Sequence, residues 1–182
     1  MKTALLLIDI QNDYFPGGRM ELEKAEEAGK NAGMLLKAAR ERQVPVIHIQ
    51  HLSTRPGATF FIPGTPGSEI HPCVAPDKEP VIQKNFPNSF NSTNLREILD
   101  QTGVDTLIVC GMMTHMCVDS TVRAAADLGY RCTVAADACA TRDLVWEGET
   151  IPSAVVQGSF LSAMNGLFAD VLNTDEIIRT GI

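Results

Sequence analysis

The chain has 182 residues, 45% of them hydrophobic and 20% charged, and a formal net charge of −7. That balance suits one globular domain with a substantial core, and it offers no basic stripe for nucleic acid and no apolar run near the ~20 residues of a membrane span. The apolar run at the amino terminus is short and ends in Asp9, which argues against a signal peptide, and five cysteines without disulfide-framework spacing or a C-x-x-C motif read as reduced thiols of a cytoplasmic protein.

Thr3 to Ile10 reads as a central parallel strand, because its unalternated run Ala4-Leu-Leu-Leu-Ile8 suits cover on both faces. Asp9 falls at its carboxyl end, where open α/β sheets keep their chemistry. Pro16-Gly17-Gly18 turns the chain, and no Gly-x-Gly-x-x-Gly follows the strand, which disfavours a dinucleotide site. An amphipathic helix is predicted over Glu23 to Arg42, with an apolar stripe of Ala25, Ala28, Ala32, Leu35, Leu36 and Ala39. Pro45 to His51 is the second strand. Residues 52 to 79, rich in proline and glycine, form a long loop, the kind that serves as a lid or an interface, with Phe60 and Phe61 packing it onto the body.

Pro80 to Lys84 is a short third strand that ends on a cationic group, and Thr93 to Gln101 is a helix. The fourth strand runs from Thr106 to Cys110. Gly111 breaks it, Thr114 is a candidate N-cap, and apolar residues at helical spacing continue to Leu128 before Gly129. Cys117 is thereby expected in the first turn of a helix, where free N–H groups and the helix dipole favour a thiolate and lower the thiol pKa. A fifth strand is predicted over Tyr130 to Ala136 ending at Asp137, a helix over Ile151 to Leu167, a sixth strand over Ala169 to Asn173 and a last helical turn over Asp175 to Arg179. The segment around Trp146 shows no clear pattern.

Six strands alternating with helices predict a doubly wound α/β fold, a mostly parallel sheet in the order 3-2-1-4-5-6 with helices on both faces, filling residues 1–182 as a single domain. In that order Asp9, Lys84 and Cys117, each delivered by a separate apolar strand, meet at one rim. An acid, an ammonium and a sulfur nucleophile at one place suit nucleophilic attack on an unactivated carbonyl.

The ordered set Leu7-Ile-Asp9-Ile-Gln-Asn-Asp-Tyr-Phe15, Lys84 with Phe86 to Phe90, and Gly111-Met-Met-Thr-His-Met-Cys117-Val resembles the isochorismatase-like cysteine hydrolases, the superfamily that includes nicotinamidase and N-carbamoylsarcosine amidase. Gly64 to Pro72 and Phe168-Ala-Asp-Val-Leu172 are similar too, so the likeness spans essentially the whole chain. The resemblance implies a catalytic triad of Asp9, Lys84 and Cys117, a non-proline cis peptide at Met112–Met113, and an oxyanion hole from the N–H groups of Met113 and Cys117. It implies hydrolysis of a small amide, ureide or carbamoyl compound through a thioester on Cys117, no cofactor, a homo-oligomer and a small-molecule partner. Phe15, Phe90, His115, Met116 and Trp146 are candidate walls of the substrate pocket, and the scarcity of charge near the rim suggests a neutral or weakly polar substrate. Nicotinamidases carry an Asp-x-His metal motif after the second strand; here the stretch is Ile49-Gln-His51-Leu-Ser53, and no carboxylate accompanies His48, His51 or His71 at ligand spacing, so no metal is expected. The two other readings of the same residues are an isochorismatase-type vinyl-ether hydrolase and a non-catalytic binding module on this fold.

Overall fold

The computed structural model describes residues 2–180. In chain order the elements are β1 (Thr3–Ile8), α1 (Ala25–Glu41), β2 (Val46–His51), β3 (Val81–Lys84), α2 (Leu95–Thr102), β4 (Thr106–Met112), α3 (Asp119–Asp127), β5 (Arg131–Ala140), β6 (Leu144–Trp146), β7 (Glu149–Ile151), α4 (Ser153–Met164), β8 (Asp170–Leu172) and α5 (Thr174–Thr180). Six parallel strands make one sheet in the order β3-β2-β1-β4-β5-β8. This is the expected winding, with β8 as the sixth strand. The unassigned segment around Trp146 is the antiparallel β6–β7 hairpin. Helices α1 and α5 pack together on one face of the sheet, and α3 and α4 on the other.

The core sits on both faces of β1 and β4. Ala4 to Ile8 and Leu107 to Val109 are buried throughout, as unalternated strands require when helices cover both sides. The two strands pair in register from Thr3 against Thr106 to Ile8 against Gly111. Gly111 is needed for that last contact. Its φ is +137°, and a Cβ there would lie 2.0 Å from the Ile8 carbonyl oxygen, so no side chain fits where β4 passes closest to β1.

Three boundaries differ from the sequence expectation, each for a local reason. The first strand stops at Ile8 because Asp9 adopts a left-handed backbone, φ 51°, which no strand continues through. The fifth strand runs on to Ala140, since a register shift between Val109 and Gly111 lets β5 resume pairing at Cys139 and Ala140. Asp137 is therefore inside the strand, and it holds the start of α5 by accepting from both the N–H and the hydroxyl of Thr174 at 2.8 Å. Finally, Thr114 is no N-cap. Its hydroxyl lies 2.6 Å from Gln157 Oε1 on α4 and 3.2 Å from the Ala140 carbonyl, and residues Thr114–Val118 form a π-helical turn before α3 starts at Asp119.

Candidate active site

Four side chains come to the carboxyl rim from four neighbouring segments: Asp9 follows β1, His51 ends β2, Lys84 ends β3, and Cys117 sits in the π-helical turn after β4. β2 and β3 pair in register with His51 opposite Lys84, so both are carried to the same height. Parallel strands in this order bring their carboxyl ends together at the β1/β4 switch point. The Met112–Met113 peptide is cis, as the resemblance implies.

Three of the four are buried, while the His51 side chain keeps 16% exposure. Asp9 and Lys84 have side chains with no exposed area, and Cys117 is buried. Lys84 Nζ donates to Asp9 Oδ2 at 2.6 Å, to the Phe86 carbonyl at 3.1 Å, and approaches His51 Nδ1 at 3.0 Å. One donor atom from each of Asp9, His51 and Cys117 lies within 4.8 Å of the others. Asp9 Oδ1 is buried with no hydrogen-bond partner. A carboxylate oxygen left vacant in a dry site is a costly arrangement, and it is an acceptor in waiting beside the thiol.

Burial raises the Cys117 thiol pKa, and the Asp9 carboxylate raises it further, with Lys84 working the other way. The expected lowering by a helix terminus is thus reversed. Cys117 does lie in the first helical turn, which is π-helical and runs straight into α3, but burial beside the Asp9 anion outweighs that position and favours the protonated thiol. Burial works against the Lys84 ammonium, but Asp9 and then Cys117 outweigh it and hold the Lys84 pKa above its ordinary value. His51 is pulled down to about 4, first by burial, with Asp9 opposing and Lys84 and Arg55 assisting. Tyr14 borders the cluster as well: burial, then Cys117 and Asp9, raise its phenol pKa.

The other sequence candidates are spread more widely. Met113 immediately precedes the nucleophile turn, and Met116, 41% exposed, lies within it beside Cys117. His115 faces away into the structure; its Nδ1 lies 2.5 Å from the Thr141 hydroxyl and its ring meets Phe160 edge-on. Phe15 is buried and stacks on His71 at 3.6 Å, filling the space against Gly29 of α1. Phe90 stacks on Tyr130, just before the amino end of β5, which turns its ring towards the opposite end of the sheet from the thiol. Trp146 lies on the β6–β7 hairpin with 69% of its surface exposed. A cavity of about 360 Å³ opens one strand further on, above the end of β5. Gln157 and Thr141, which hold Thr114 and His115, form part of its wall, and the cavity does not include Cys117.

The three histidines weighed as metal ligands do not converge. His48 is buried with neither ring nitrogen partnered, and His71 accepts from the Cys73 N–H at 3.3 Å. Among the described residues the one group of metal-type donors is Asp9, His51 and Cys117. The Lys84 ammonium already sits against two of these three and supplies the charge a cation would bring, so the donor set does not fit a metal.

Sequence reasoning missed His51 and the device that holds it. Gln11, fully buried, accepts from the His51 N–H at 2.7 Å and donates to the His51 carbonyl at 2.9 Å, clamping that backbone from both sides. The available signal was that His51 and Lys84 are each the last residue of a neighbouring strand. Phe61 packs on Tyr14 at 4.6 Å and its N–H donates to Asp13 at 2.6 Å, so the 52–79 loop is pinned to the turn that follows Asp9.

A doubly wound sheet with a buried acid, ammonium and thiol at its switch point defines a class of α/β hydrolytic enzymes with a cysteine at the rim. The isochorismatase domain model matches residues 3–176, and the chain belongs to the isochorismatase family. It is 49% identical over 180 residues to the isochorismatase family protein YddQ of Bacillus subtilis, covering 98% of this chain and 100% of that one. A solved Pseudomonas putida isochorismatase superposes with a TM-score of 0.90 at 41% identity, covering 96% of this chain and 89% of that one. N-carbamoylsarcosine amidase from Thermoplasma acidophilum superposes with a TM-score of 0.81 at 26% identity, covering 97% of this chain and 99% of the amidase. The chain is an isochorismatase-family hydrolase in which Asp9, Lys84 and Cys117 lie together.

Proposed function

We propose that the protein hydrolyses a small amide, ureide or carbamoyl compound through a thioester on Cys117, with Asp9 as general base and acid. The observation that carries this reading is the buried Asp9 oxygen left without a hydrogen-bond partner in a cluster with the Cys117 thiol. A neutral thiol is a poor nucleophile, so the proton must leave as the sulfur attacks, and Asp9 is the acceptor at hand. The Cys117–carbonyl bond forms, the oxyanion is met by the Met113 and Cys117 N–H groups, and protonated Asp9 returns its proton to the leaving amine as the C–N bond breaks. Water deprotonated by Asp9 then attacks the thioester carbonyl, and the thiol leaves with that proton. Lys84, held by Asp9, His51 and the Phe86 carbonyl, stabilises the thiolate by its charge and its closeness to the sulfur. The amidase among the solved relatives supports the amide class.

The test is ammonia or amine release over a panel of small amides and ureides, with Cys117→Ala as blank. We expect at least one substrate whose turnover falls by about 10⁴-fold or more in the variant, and an acyl adduct on Cys117 by mass spectrometry. Undiminished turnover by Cys117→Ala would favour vinyl-ether chemistry and defeat the thioester.

We propose too that the chain is a homo-oligomer that associates through α4 and the β6–β7 hairpin rather than the pinned 52–79 loop. Helix α4 carries no charged residue and exposes Val155, and Val145, Trp146 and Leu167 nearby in the chain are exposed too. Large apolar side chains exposed together mark a surface that another protein chain ordinarily covers. Light scattering after size exclusion should give a mass above 19.7 kDa that Val155→Asp lowers; a wild-type monomer would overturn the proposal.

A further inference from the structure

Lys84 has three N–H donors, and three acceptors take them: Asp9 Oδ2 at 2.6 Å, His51 Nδ1 at 3.0 Å and the Phe86 carbonyl at 3.1 Å. An ammonium can only donate, so His51 Nδ1 must be the acceptor of that contact. A neutral imidazole whose Nδ1 accepts carries its proton on Nε2. His51 Nε2 makes no hydrogen bond among the described residues, and it is not among the sealed-off atoms of the core. The ring is held from both ends of its residue by Gln11 and flanked by Phe61, 5.9 Å away between ring centres. The rim therefore presents one oriented N–H from a neutral side chain whose ring lies against the nucleophile and its base. Such a donor, built and left unused, matches a substrate acceptor that the backbone N–H groups at Met113 and Cys117 do not serve.

We propose that His51 donates a hydrogen bond from Nε2 to a second acceptor atom on the substrate, close to the scissile carbonyl, and so selects ureide- and carbamoyl-type compounds over plain alkyl amides. This rests on the hydrolase reading above and narrows it. A site built to hydrogen-bond a substrate group discriminates against an analogue lacking it, because the site's polar atom is then left unpaired. His51 is thereby a catalytic-site residue that touches substrate, and Lys84 serves both neighbours: it holds Asp9 in place and fixes the tautomer of His51.

Two measurements test this. Histidine ¹H–¹⁵N correlation spectra at pH 7, with the His51 signals identified by their loss in His51→Gln, should show the neutral Nε2–H tautomer. An Nδ1–H tautomer or a protonated ring overturns the proposal, and this arm needs no substrate. The second arm compares acetylurea with pentanamide, which match in size but not in acceptor count. Wild-type protein should prefer acetylurea, and His51→Leu should shrink the ratio of their kcat/KM values by about 10- to 100-fold. His51→Gln, whose amide can accept from Lys84 and donate to substrate, should restore much of it. A merely structural His51 would slow both substrates alike and leave the ratio intact, which overturns the proposal, as does a His51→Gln no better than His51→Leu. If another amide acylates Cys117 while acetylurea is ignored, the selection fails and the hydrolase reading stands; if nothing acylates Cys117, both fail.

Discussion

His48 and His51 lie three residues apart on β2, one in the middle of the sheet and one at its rim, and burial is the main cause holding both at a pKa of about 4. In the middle, His48 is packed in with both ring nitrogens unpartnered. At the rim, His51 has the Lys84 ammonium on Nδ1 and Gln11 on its backbone. The same residue type in the same strand is a desolvation cost in one place and part of a hydrogen-bonded array in the other. Burial alone makes a histidine neutral; partners decide which nitrogen carries the proton and where it points. At the rim the buried atom without a partner is Asp9 Oδ1, next to an oxygen of the same carboxylate that Lys84 holds.

Acid should act on both histidines and so blur the contrast. Each has a folded-state pKa depressed from 6.5 to about 4, so the unfolded chain binds protons first as pH falls. The contribution is fully present above pH 6.5 and is lost progressively down to about pH 4. At most about 3 kcal/mol is lost per histidine, by the conversion of a pKa shift into free energy. Chemical denaturation at pH 8 and pH 4.5 should show a fall of several kcal/mol; a flat profile would mean that neither ring is held neutral.

Lys84→Met should turn the rim into a second version of the middle. It removes the cation from a buried pair and leaves both the Asp9 carboxylate and His51 Nδ1 without a donor. Breaking a buried pair from one side typically costs about 3–5 kcal/mol, which a thermal melt would register as a drop of many degrees. Stability unchanged from wild type would show that water reaches the cluster and that the array is not closed.

Much of this layout was legible in the sequence, for one reason: unalternated apolar runs mark central parallel strands, and an ionisable residue at the end of such a run is conspicuous. Asp9 and Lys84 were found that way and Cys117 by its place just beyond such a strand, and the alternation of strands and helices pointed to a doubly wound sheet whose usual order matches the one observed. What stayed hidden depends on contacts between distant residues. Thr114 begins a π-helical turn rather than capping a helix, its hydroxyl taken up by Gln157 and Ala140. His51 was weighed only as a metal ligand, and its place beside Lys84 shows once β2 and β3 are paired in register. The raised Cys117 pKa could not be read from helix position, since it comes from burial beside Asp9. Phe15 and Phe90 were chosen as pocket walls from their place near the motifs, which carries no sign of the neighbours they stack on, His71 and Tyr130.

The smallest effect expected is also the one with the least usual sign. His48→Leu should stabilise the protein at pH 8. Histidine 48 is 1% exposed, and its two ring nitrogens lose water on folding without gaining a protein partner. Replacing an unsatisfied buried polar group with an apolar one of similar size removes that penalty, worth about 1–3 kcal/mol. The neighbours Leu7 on β1 and Val81 on β3, in register with position 48, present no polar atom from their side chains that the change would strand. The same substitution at His51 has the opposite expectation, because it deprives Lys84 of an acceptor in a dry site. Denaturant midpoints for the two variants should therefore move in opposite directions, and His48→Leu should lose part of the acid sensitivity of the wild type. Midpoints that fall together would mean that β2 treats its middle and its end alike, and that the partners at the rim contribute nothing beyond packing.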